Sequence, residues 1–321
     1  LILFTDFRNF ILVMAAIFMG LVSMADVRAA TNFPGDQIRV NVFGSAMLED
    51  EKCVVVGERG EVFISGDGGQ SWHRMESGVS CQLFSVSFAD GNRGWAAGAI
   101  GSMVFTEDGG KTWSVQKTGT KTHLFAVDFA DSQTGCAVGD WGMILVTDNG
   151  GATWSDVSLP EDVVLYAMQW LDSQTGFITG EFGQIYKTED GGNTWQSLTS
   201  PAAQSLFTMC RNGSTIIAAG LDGVVVVSED GGKTWEKATT PTRKAIYDIE
   251  VNGREGIAVG EEGTVLHSID GGRTWKVMDV PIHARLFWLG TVSFRSNSEP
   301  VGFGAGAHGF VFRIRGGQFV W

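Results

Sequence analysis

Carboxylate side chains recur inside a repeated Gly-x-x-Gly turn, and paired carboxylates are the groups that glycoside hydrolases use. Such enzymes hold two carboxyl groups about 5 to 9 Å apart. With roughly one acid per turn, we expect a solvated acidic ring whose neighbours lie too far apart to form a pair. The acids in these turns are Glu58, Asp140, Glu181, Asp222, Glu261 and Glu262.

Tyrosine offers a second route to carbohydrate chemistry, because a sialidase-like hydrolase uses a tyrosine–glutamate nucleophile pair and three arginines. Tyr166 and Tyr247 fall in apolar runs that predict strands near a central channel, whereas Tyr186 does not. The chain has no Arg-Ile-Pro motif and no insertions that would build a sugar pocket. A carbohydrate-active or carbohydrate-binding protein therefore remains the alternative, and we expect no catalytic residue.

Metal and cofactor chemistry have no matching spacing in the sequence. The Gly-x-x-Gly copies precede apolar strand-like runs, not helices, so they do not predict dinucleotide loops. The cysteines, which all lie in or beside apolar runs, predict small buried side chains more than disulfides or metal ligands. We expect no cofactor and no metal site. The cysteines are Cys53, Cys81, Cys136 and Cys210.

The octapeptide TEDGGKTW, residues 106–113, recurs with small changes and predicts a hairpin. Its Asp can accept hydrogen bonds from backbone N–H groups two residues on, its glycines suit positive φ, and its Trp supplies a large apolar surface. Asn149 replaces the Asp in one copy and can make the same turn, so the octapeptide is interpreted as structural. The residues concerned are Asp67, Trp72, Asp108, Trp113, Asn149, Trp154, Asp190, Trp195, Asp230, Trp235, Asp270 and Trp275.

The octapeptide and the Gly-x-x-Gly turn keep the same period. Successive octapeptide tryptophans are 41, 41, 41, 40 and 40 residues apart, and the Gly-x-x-Gly turn occurs seven times. Each unit contains four short apolar runs separated by turn residues, which is the content of one propeller blade. The sequence predicts an all-β, seven-bladed β-propeller over residues 31–321, in one domain and as a monomer.

Closure of the ring is predicted to use the N-terminal segment. Trp321 lies twelve residues after Gly309, where every other unit has the tryptophan that precedes the fourth strand. Residues 31–41 precede the first unit and have no unit of their own. We therefore expect these residues to supply the missing outer strand of the last blade, which would remove exposed sheet edges.

The first 30 residues and the net charge bear on location and partners. One cation, Arg8, precedes the uncharged run of residues 10–25, and small-residue cleavage sites follow at Ala25 and Ala29. This pattern predicts a signal peptide at residues 1–30, cleaved or, less favoured, kept as an anchor. We therefore expect export to the periplasm.

The net charge of −13 argues against a nucleic-acid partner.

The TEDGGKTW box is similar to the Asp-box of bacterial neuraminidase repeats. Seven nearly contiguous units, each with a VGxxG-like turn and most with the box, resemble the Ycf48/HCF136 family of photosystem II assembly factors and their bacterial relatives. The resemblance covers residues 31–321. It implies a non-enzymatic propeller that assists the assembly of membrane protein complexes outside the cytoplasm, or in a thylakoid-lumen-like compartment in a phototroph. The implied partner is a protein client, a membrane-complex subunit.

A partner-binding surface is predicted on one face of the propeller. The loops before the first strands and those between the second and third strands share a face, and they combine basic residues with two aromatic turn tips. Exposed aromatic and basic side chains dominate binding energy at protein interfaces. The predicted partner-binding residues are Lys121, His123, Trp141, Phe182, Arg243, Lys244, His283 and Arg285.

Overall fold

The computed structural model describes residues 38–49, 51–296, 300–315 and 318–320. Within these ranges the chain forms 28 strands in seven four-stranded antiparallel sheets and contains no α-helix. No helix in these ranges has the length and apolar content needed to span a membrane. The predicted all-β, seven-bladed architecture is confirmed. The predicted signal peptide, residues 1–30, lies outside the described residues.

The two inner strands of each sheet carry most of the core. The first strands are Val42–Met47, Leu83–Phe88, Leu124–Phe129, Leu165–Trp170, Leu206–Asn212, Ile246–Asn252 and Leu289–Ser296. The second strands, which are almost entirely buried because a neighbouring blade covers each side, are Cys53–Gly57, Gly94–Gly98, Gly135–Gly139, Gly176–Gly180, Thr215–Gly220, Glu255–Gly260 and Pro300–Gly306.

The two outer strands are shorter and more polar. The third strands are Val62–Ser65, Met103–Thr106, Ile144–Thr147, Ile185–Thr188, Val225–Ser228, Val265–Ser268 and Val311–Arg315. The fourth strands are His73–Met75, Ser114–Gln116, Ser155–Asp156, Gln196–Leu198, Glu236–Lys237, Lys276–Val277 and Gln318–Val320. A 3₁₀ turn joins the second and third strands of every blade, and one further 3₁₀ turn, Ala284–Leu286, precedes the seventh blade.

The first strands pack side by side into a closed ring, in which the first blade contacts the seventh. The hydroxyl of Ser45 lies 2.6 Å from that of Thr291 and 2.9 Å from that of Ser293, across this junction. Apolar side chains of each blade interdigitate with those of the next, as with Trp72 of blade 1 against Phe303 of blade 7, with ring centroids 5.4 Å apart. The core therefore lies between the sheets, and the first strands surround a central channel.

The prediction for the outer strand of the last blade is wrong. That position belongs to Gln318–Val320, whose Gln318 pairs with Arg315, and not to residues 31–41. Only two residues, Gly316 and Gly317, connect these strands, where other blades use about seven, so the fourth strand begins before the position of Trp321. Residues 31–37 lie outside the described part, but Ile38 and Val40 are buried between the first and last blades.

The loops fall on two opposite faces. The turn face carries the seven 3₁₀ turns and the segments that lead into the first strands; for example, the backbone N–H of Ala99 donates to the carbonyl of Gln82 at 2.9 Å. The box face carries the octapeptide hairpins and the loops between the first and second strands, as the bond from Gly109 N–H to the carbonyl of Asn92 shows (2.9 Å).

Candidate functional site

The octapeptide forms the hairpin between the third and fourth strands, and its polar side chains hold that hairpin together. Asp108 Oδ1 accepts from Thr112 N–H at 2.9 Å, and Oδ2 accepts from the Thr112 hydroxyl at 2.6 Å. The Thr106 hydroxyl accepts from Gly110 N–H at 3.0 Å, and the Trp113 indole donates to the Gly110 carbonyl at 2.9 Å. The prediction that the Asp side chain accepts a backbone hydrogen bond is confirmed. In this box, however, the donor is the N–H of the fourth residue after Asp108, not the second.

Hydrogen bonding also sets the ionisation of the box aspartates. Burial acts to raise the pKa of Asp67, but bonds from Ser71, Ser65 and the Gln70 N–H outweigh it and lower that pKa to about 2. Asn149 makes the same turn without a charge, since its Oδ1 accepts from Thr153 N–H at 2.9 Å. These contacts lie within one hairpin, as a structural role for the box requires.

Each of the seven 3₁₀ turns between a second and a third strand presents one non-glycine residue in the left-handed region, with φ between 49° and 59°. Bulky side chains rarely adopt this conformation, which costs of order 1 kcal/mol or more. The glycine that follows packs directly under the next lead-in segment; a Cβ on Gly101 would collide with the carbonyl oxygen of Thr120. The turn is therefore held rigidly and directs its tip into solvent. All seven tips are exposed: Arg59, Ile100, Trp141, Phe182, Asp222, Glu262 and His308.

Apolar tips are concentrated in successive blades. Ile100, Trp141 and Phe182 belong to blades 2, 3 and 4 and are 58%, 57% and 70% exposed. Leu221, beside the tip of blade 5, is 40% exposed. We call these four residues the apolar arc. Sequence reasoning identified Trp141 and Phe182 and missed Ile100 and Leu221, although they occupy or adjoin the same turn position.

The predicted basic residues all lie in lead-in segments on the turn face, but several already have partners. Lys244 forms an ion pair with Glu262, and Arg285 forms one with Asp279 at 3.3 Å. The Nδ1 atom of His123 accepts a hydrogen bond from the backbone N–H of Ile100 at 3.1 Å. Lys121 and Arg243 are exposed, and His283 is half-buried.

The expected solvated ring of turn acids is wrong for most of its members. Asp140 is buried, with 7% of its surface exposed. Glu58 accepts from the Asn41 side chain at 2.7 Å, and Glu181 accepts from Val164 N–H at 3.0 Å. The first acid of the turn therefore fastens the lead-in segment of its own blade, because backbone donors there need an acceptor.

An aromatic collar surrounds the channel just inside the turn face. It has one ring from each blade, contributed in six blades by the second residue of the first strand. In blade 7 that position is Gly290, and Trp288 takes its place by stacking on Phe43 at 5.9 Å. Neighbouring ring centroids lie 5.2 to 6.4 Å apart where contacts are defined. The collar comprises Phe43, Phe84, Phe125, Tyr166, Phe207, Tyr247 and Trp288.

Carboxylates lie in the channel below the collar. Asp128 accepts from Ser87, Gln169 and the Trp170 N–H, and Asp248 accepts from Thr208, Thr291 and the Val292 N–H, all within 2.8 to 3.0 Å. Glu250 differs, because no residue in the described ranges donates a hydrogen bond or forms an ion pair with its carboxylate. Farther towards the box face the channel is lined by Arg211 and Arg295.

The cysteines are free thiols in this structure. Cys53, Cys136 and Cys210 are buried, and burial raises the pKa of Cys53 to about 12. Cys81 is half-buried, with its sulfur 2.9 Å from the Ser102 hydroxyl. The interpretation of these residues as small core side chains is confirmed for the three buried ones.

A closed ring of seven four-stranded sheets, six with an octapeptide hairpin, defines a seven-bladed Asp-box β-propeller. The family model for the photosynthesis system II assembly factor YCF48 matches residues 72–219 and 212–287. The chain belongs to this family, as its repeats predicted. A sequence search among curated proteins finds no match.

Solved structures share the fold at low sequence identity. YCF48 bound to D1 peptide is 20% identical, with a TM-score of 0.69 over 86% of this chain and 92% of that one. YCF48 from Cyanidioschyzon merolae is 19% identical, with a TM-score of 0.68 over 86% and 96%. The GH74 xyloglucanase from Xanthomonas campestris is 12% identical, with a TM-score of 0.70 over 87% and 52%.

Proposed function

We propose that this protein is a non-enzymatic, exported assembly factor that holds a protein client, a subunit of a membrane complex, on its turn face. The observation that carries the proposal is the apolar arc, in which Ile100, Trp141, Phe182 and Leu221 are exposed on successive blades. Exposed apolar groups of this size mark interaction surfaces, and aromatic anchors contribute most to binding.

Family membership and the basic residues beside the arc support the same surface. The related YCF48 structure contains a bound D1 peptide, which supports a polypeptide as the ligand class. Lys121 and Arg243 are exposed in lead-in segments on the face that carries the arc, where they could pair with acidic groups on the client. The tips are rigid because each turn is packed under a lead-in segment, so they lose little freedom on binding.

The proposal is tested by affinity purification from the native host followed by mass spectrometry. The double variant Trp141→Ala/Phe182→Ala should lose at least 90% of the client, because two central anchors are removed. Ile269 provides a matched control, since it is an apolar residue 52% exposed in a hairpin on the box face. Ile269→Ala should recover the client at the level of the unaltered protein. Client loss in the Ile269 variant alone would place the binding site on the opposite face.

Export is tested separately by fractionation of the native host. Recovery of the protein without residues 1–30 from the periplasm or an equivalent compartment supports the proposal. Recovery of the intact chain from the cytosol would contradict it, and an intact N-terminus in the membrane fraction would favour an anchor.

A carbohydrate-processing function has weaker support. The likeness to the xyloglucanase is one of fold, and it covers about half of that enzyme. The turn acids Glu58 and Glu181 are occupied by hydrogen bonds to the lead-in segments of their own blades, which leaves them poorly placed to act as an acid–base pair. Hydrolysis of a panel of glucans and sialosides by the purified protein would overturn this view.

A further inference from the structure

We propose that the channel beneath the aromatic collar binds a single organic cation, the ammonium or guanidinium group of a Lys or Arg side chain on an extended client segment. This inference rests on the proposed function for the identity of the client. The collar and the acids of the site are features of the channel and do not depend on that function.

The collar gives the channel a mouth of limited width. Neighbouring ring centroids lie 5.2 to 6.4 Å apart, within the usual range for interacting aromatic rings. Seven centroids at that spacing on a regular circle would lie about 7 Å from its axis. An α-helix with its side chains is about 10–12 Å wide and does not fit once the thickness of the rings is subtracted. One side chain or one extended segment does fit. Below the mouth lies a cavity of about 240 Å³.

The cavity has the electrostatic character that a cation needs. Within the described residues, its charged lining groups are Asp128, Asp248 and Glu250, and no Lys, Arg or His lines it. Aromatic faces attract cations through their negative quadrupole, and this attraction grows when the cation is shielded from water. The arginines of the channel, Arg211 and Arg295, line its deeper part towards the box face beside Asp128 and Glu250, so an anionic ligand that entered from the collar would meet the carboxylates first.

The three acids differ in their availability to a ligand. Asp128 and Asp248 accept several hydrogen bonds from neighbouring blades, so their lone pairs are largely occupied. Glu250 accepts none from the described residues and lies half-buried along the channel. A buried carboxylate without a donor is costly to ionise, and a bound ammonium group would supply both the donor and the compensating charge. Glu250 is therefore assigned as the residue that gives up its proton when the cation binds and then pairs with it.

The rim beside Tyr247 carries charges of both signs. Burial raises the pKa of Tyr247 well above the ordinary tyrosine value, and the nearby Glu261 and Glu262 raise it further. The Tyr247 phenol therefore stays neutral. Lys244, in the lead-in segment of the same blade, forms an ion pair with Glu262, and Arg243 beside it is exposed. The acids that attract a cation are therefore those of the cavity, not those of the rim.

The site is tested with two small probes of nearly equal shape. Nα-acetyl-lysine amide has a four-carbon side chain that ends in an ammonium group, and Nα-acetyl-norleucine amide has the same four-carbon chain without that group. Met168 and Met209 line the cavity, so methyl-¹³C methionine labelling of the whole protein reports occupancy by NMR. We expect saturable shifts of these two signals with the lysine probe and at least tenfold weaker binding of the norleucine probe. Equal binding of both, or no saturable shift with either, would refute the inference.

Two variants test the assigned contacts. Glu250→Gln keeps the shape and removes the charge, and Phe207→Leu removes one ring of the collar. Each should weaken the lysine probe about three- to tenfold, the range for one cation–π or ion-pair contact. Glu236→Gln, on an exposed fourth strand, is the matched control and should leave binding unchanged. Unaltered affinity in Glu250→Gln would exclude its role, and this variant decides the matter even if Phe207→Leu fails to fold.

The experiments can contradict the channel proposal and the client-surface proposal separately. If the lysine probe does not bind while Trp141→Ala/Phe182→Ala still abolishes client recovery, the channel inference alone is wrong. If the probe binds but no client is recovered with the unaltered protein, the proposed function is wrong and the cation site stands.

Discussion

Asp128 Oδ2 accepts a hydrogen bond from the backbone N–H of Trp170, 2.8 Å away, across the boundary between blades 3 and 4. The Oδ1 atom of the same carboxylate accepts from the Ser87 hydroxyl of blade 2 at 2.9 Å. One side chain therefore connects three blades around the channel. Asp248 has the same role for blades 5, 6 and 7, through Thr208 and Val292.

Removal of the Asp128 carboxylate should destabilise the ring. Asp128→Ala leaves the Trp170 N–H without an acceptor, and such a loss costs about 1–3 kcal/mol. Asp128→Asn retains an acceptor oxygen and should cost less than half as much. Urea denaturation at pH 5 measures both, since Asp128 is then largely protonated: burial raises its pKa to about 6 despite the bonds from Trp170 and Ser87. Equal losses in the two variants would show that shape, not hydrogen bonding, matters here.

Glu250 should make the protein less stable as the pH rises. Burial, and then repulsion by Asp248, raise the pKa of Glu250 to about 8, while Arg295 opposes the shift. A raised carboxyl pKa means that its contribution is fully present below the unfolded-state value, about 4.3, and is lost as pH rises through 8. Asp128 and Arg211 also line this part of the channel.

The Glu250→Gln variant isolates this contribution. Its stability should fall less than that of the unaltered protein between pH 5 and pH 9, so the difference between the two proteins grows with pH. Thermal unfolding in buffers of constant ionic strength measures the difference. Parallel pH profiles would show that Glu250 titrates normally.

The box aspartates should have the opposite pH dependence. Burial acts against ionisation of Asp108, but bonds from the Thr112 hydroxyl and N–H and from Thr106 outweigh it and lower its pKa. This stabilisation is present above the unfolded-state value, about 3.9, and is lost as pH falls through the lower folded-state value. Asp108→Asn should lower the free energy of unfolding by under about 0.5 kcal/mol at pH 7 and should reduce the loss of stability at acidic pH. Asp108→Ala should lower the free energy of unfolding by about 1 kcal/mol.

The box that naturally contains Asn149 allows the opposite substitution, from Asn to Asp, to be tested. Asn149→Asp should leave stability at pH 7 nearly unchanged and steepen the loss below pH 4. A cost in this variant as large as that of Asp108→Ala would contradict the view that Asp and Asn are interchangeable in the turn. Acid titration followed by circular dichroism measures both variants.

Two glycines, Gly98 at the base of a turn on the turn face and Gly213 in a loop on the box face, should differ in their tolerance of alanine for a spatial reason. Gly98 is extended, with φ of −166°, but a Cβ there would collide with the carbonyl oxygen of Gln82. Gly213 has φ of +63° and open space around it. Gly213→Ala should therefore cost only about 1 kcal/mol of backbone strain, and Gly98→Ala over about 3 kcal/mol. Chemical denaturation compares the two variants. Similar losses in the free energy of unfolding would mean that the backbone near Gly98 can move to accommodate the methyl group.

The architecture was predictable because the signals that define a blade are local. Box tryptophans 40 or 41 residues apart, with paired glycines before them, require the same four-stranded unit wherever they occur. The closure was predicted wrongly because it depends on the length of one connection. Arg315 pairs directly with Gln318, so a two-residue link sufficed where a box-sized loop was assumed.

The site was only partly predictable, because it depends on contacts between blades. Trp141 and Phe182 were found from their position at turn tips. The collar was missed, although an aromatic residue follows the first apolar residue of six first strands, as in Leu83-Phe84 and Leu124-Phe125. No local sequence pattern indicates that these rings all face the axis of the channel. Likewise, nothing near Glu181 in the sequence indicates its bond to the N–H of Val164.

The seven left-handed tips share one backbone conformation but differ in residue type. Each tip has the same backbone conformation whether it carries Arg59, Phe182, Asp222 or another residue, because the neighbouring glycines and lead-in segments impose it. Identity at one tip can therefore change without disturbing the sheet beneath or the tip of the next blade. Under the proposed function, a change at one tip would therefore alter the client-binding surface at that blade alone.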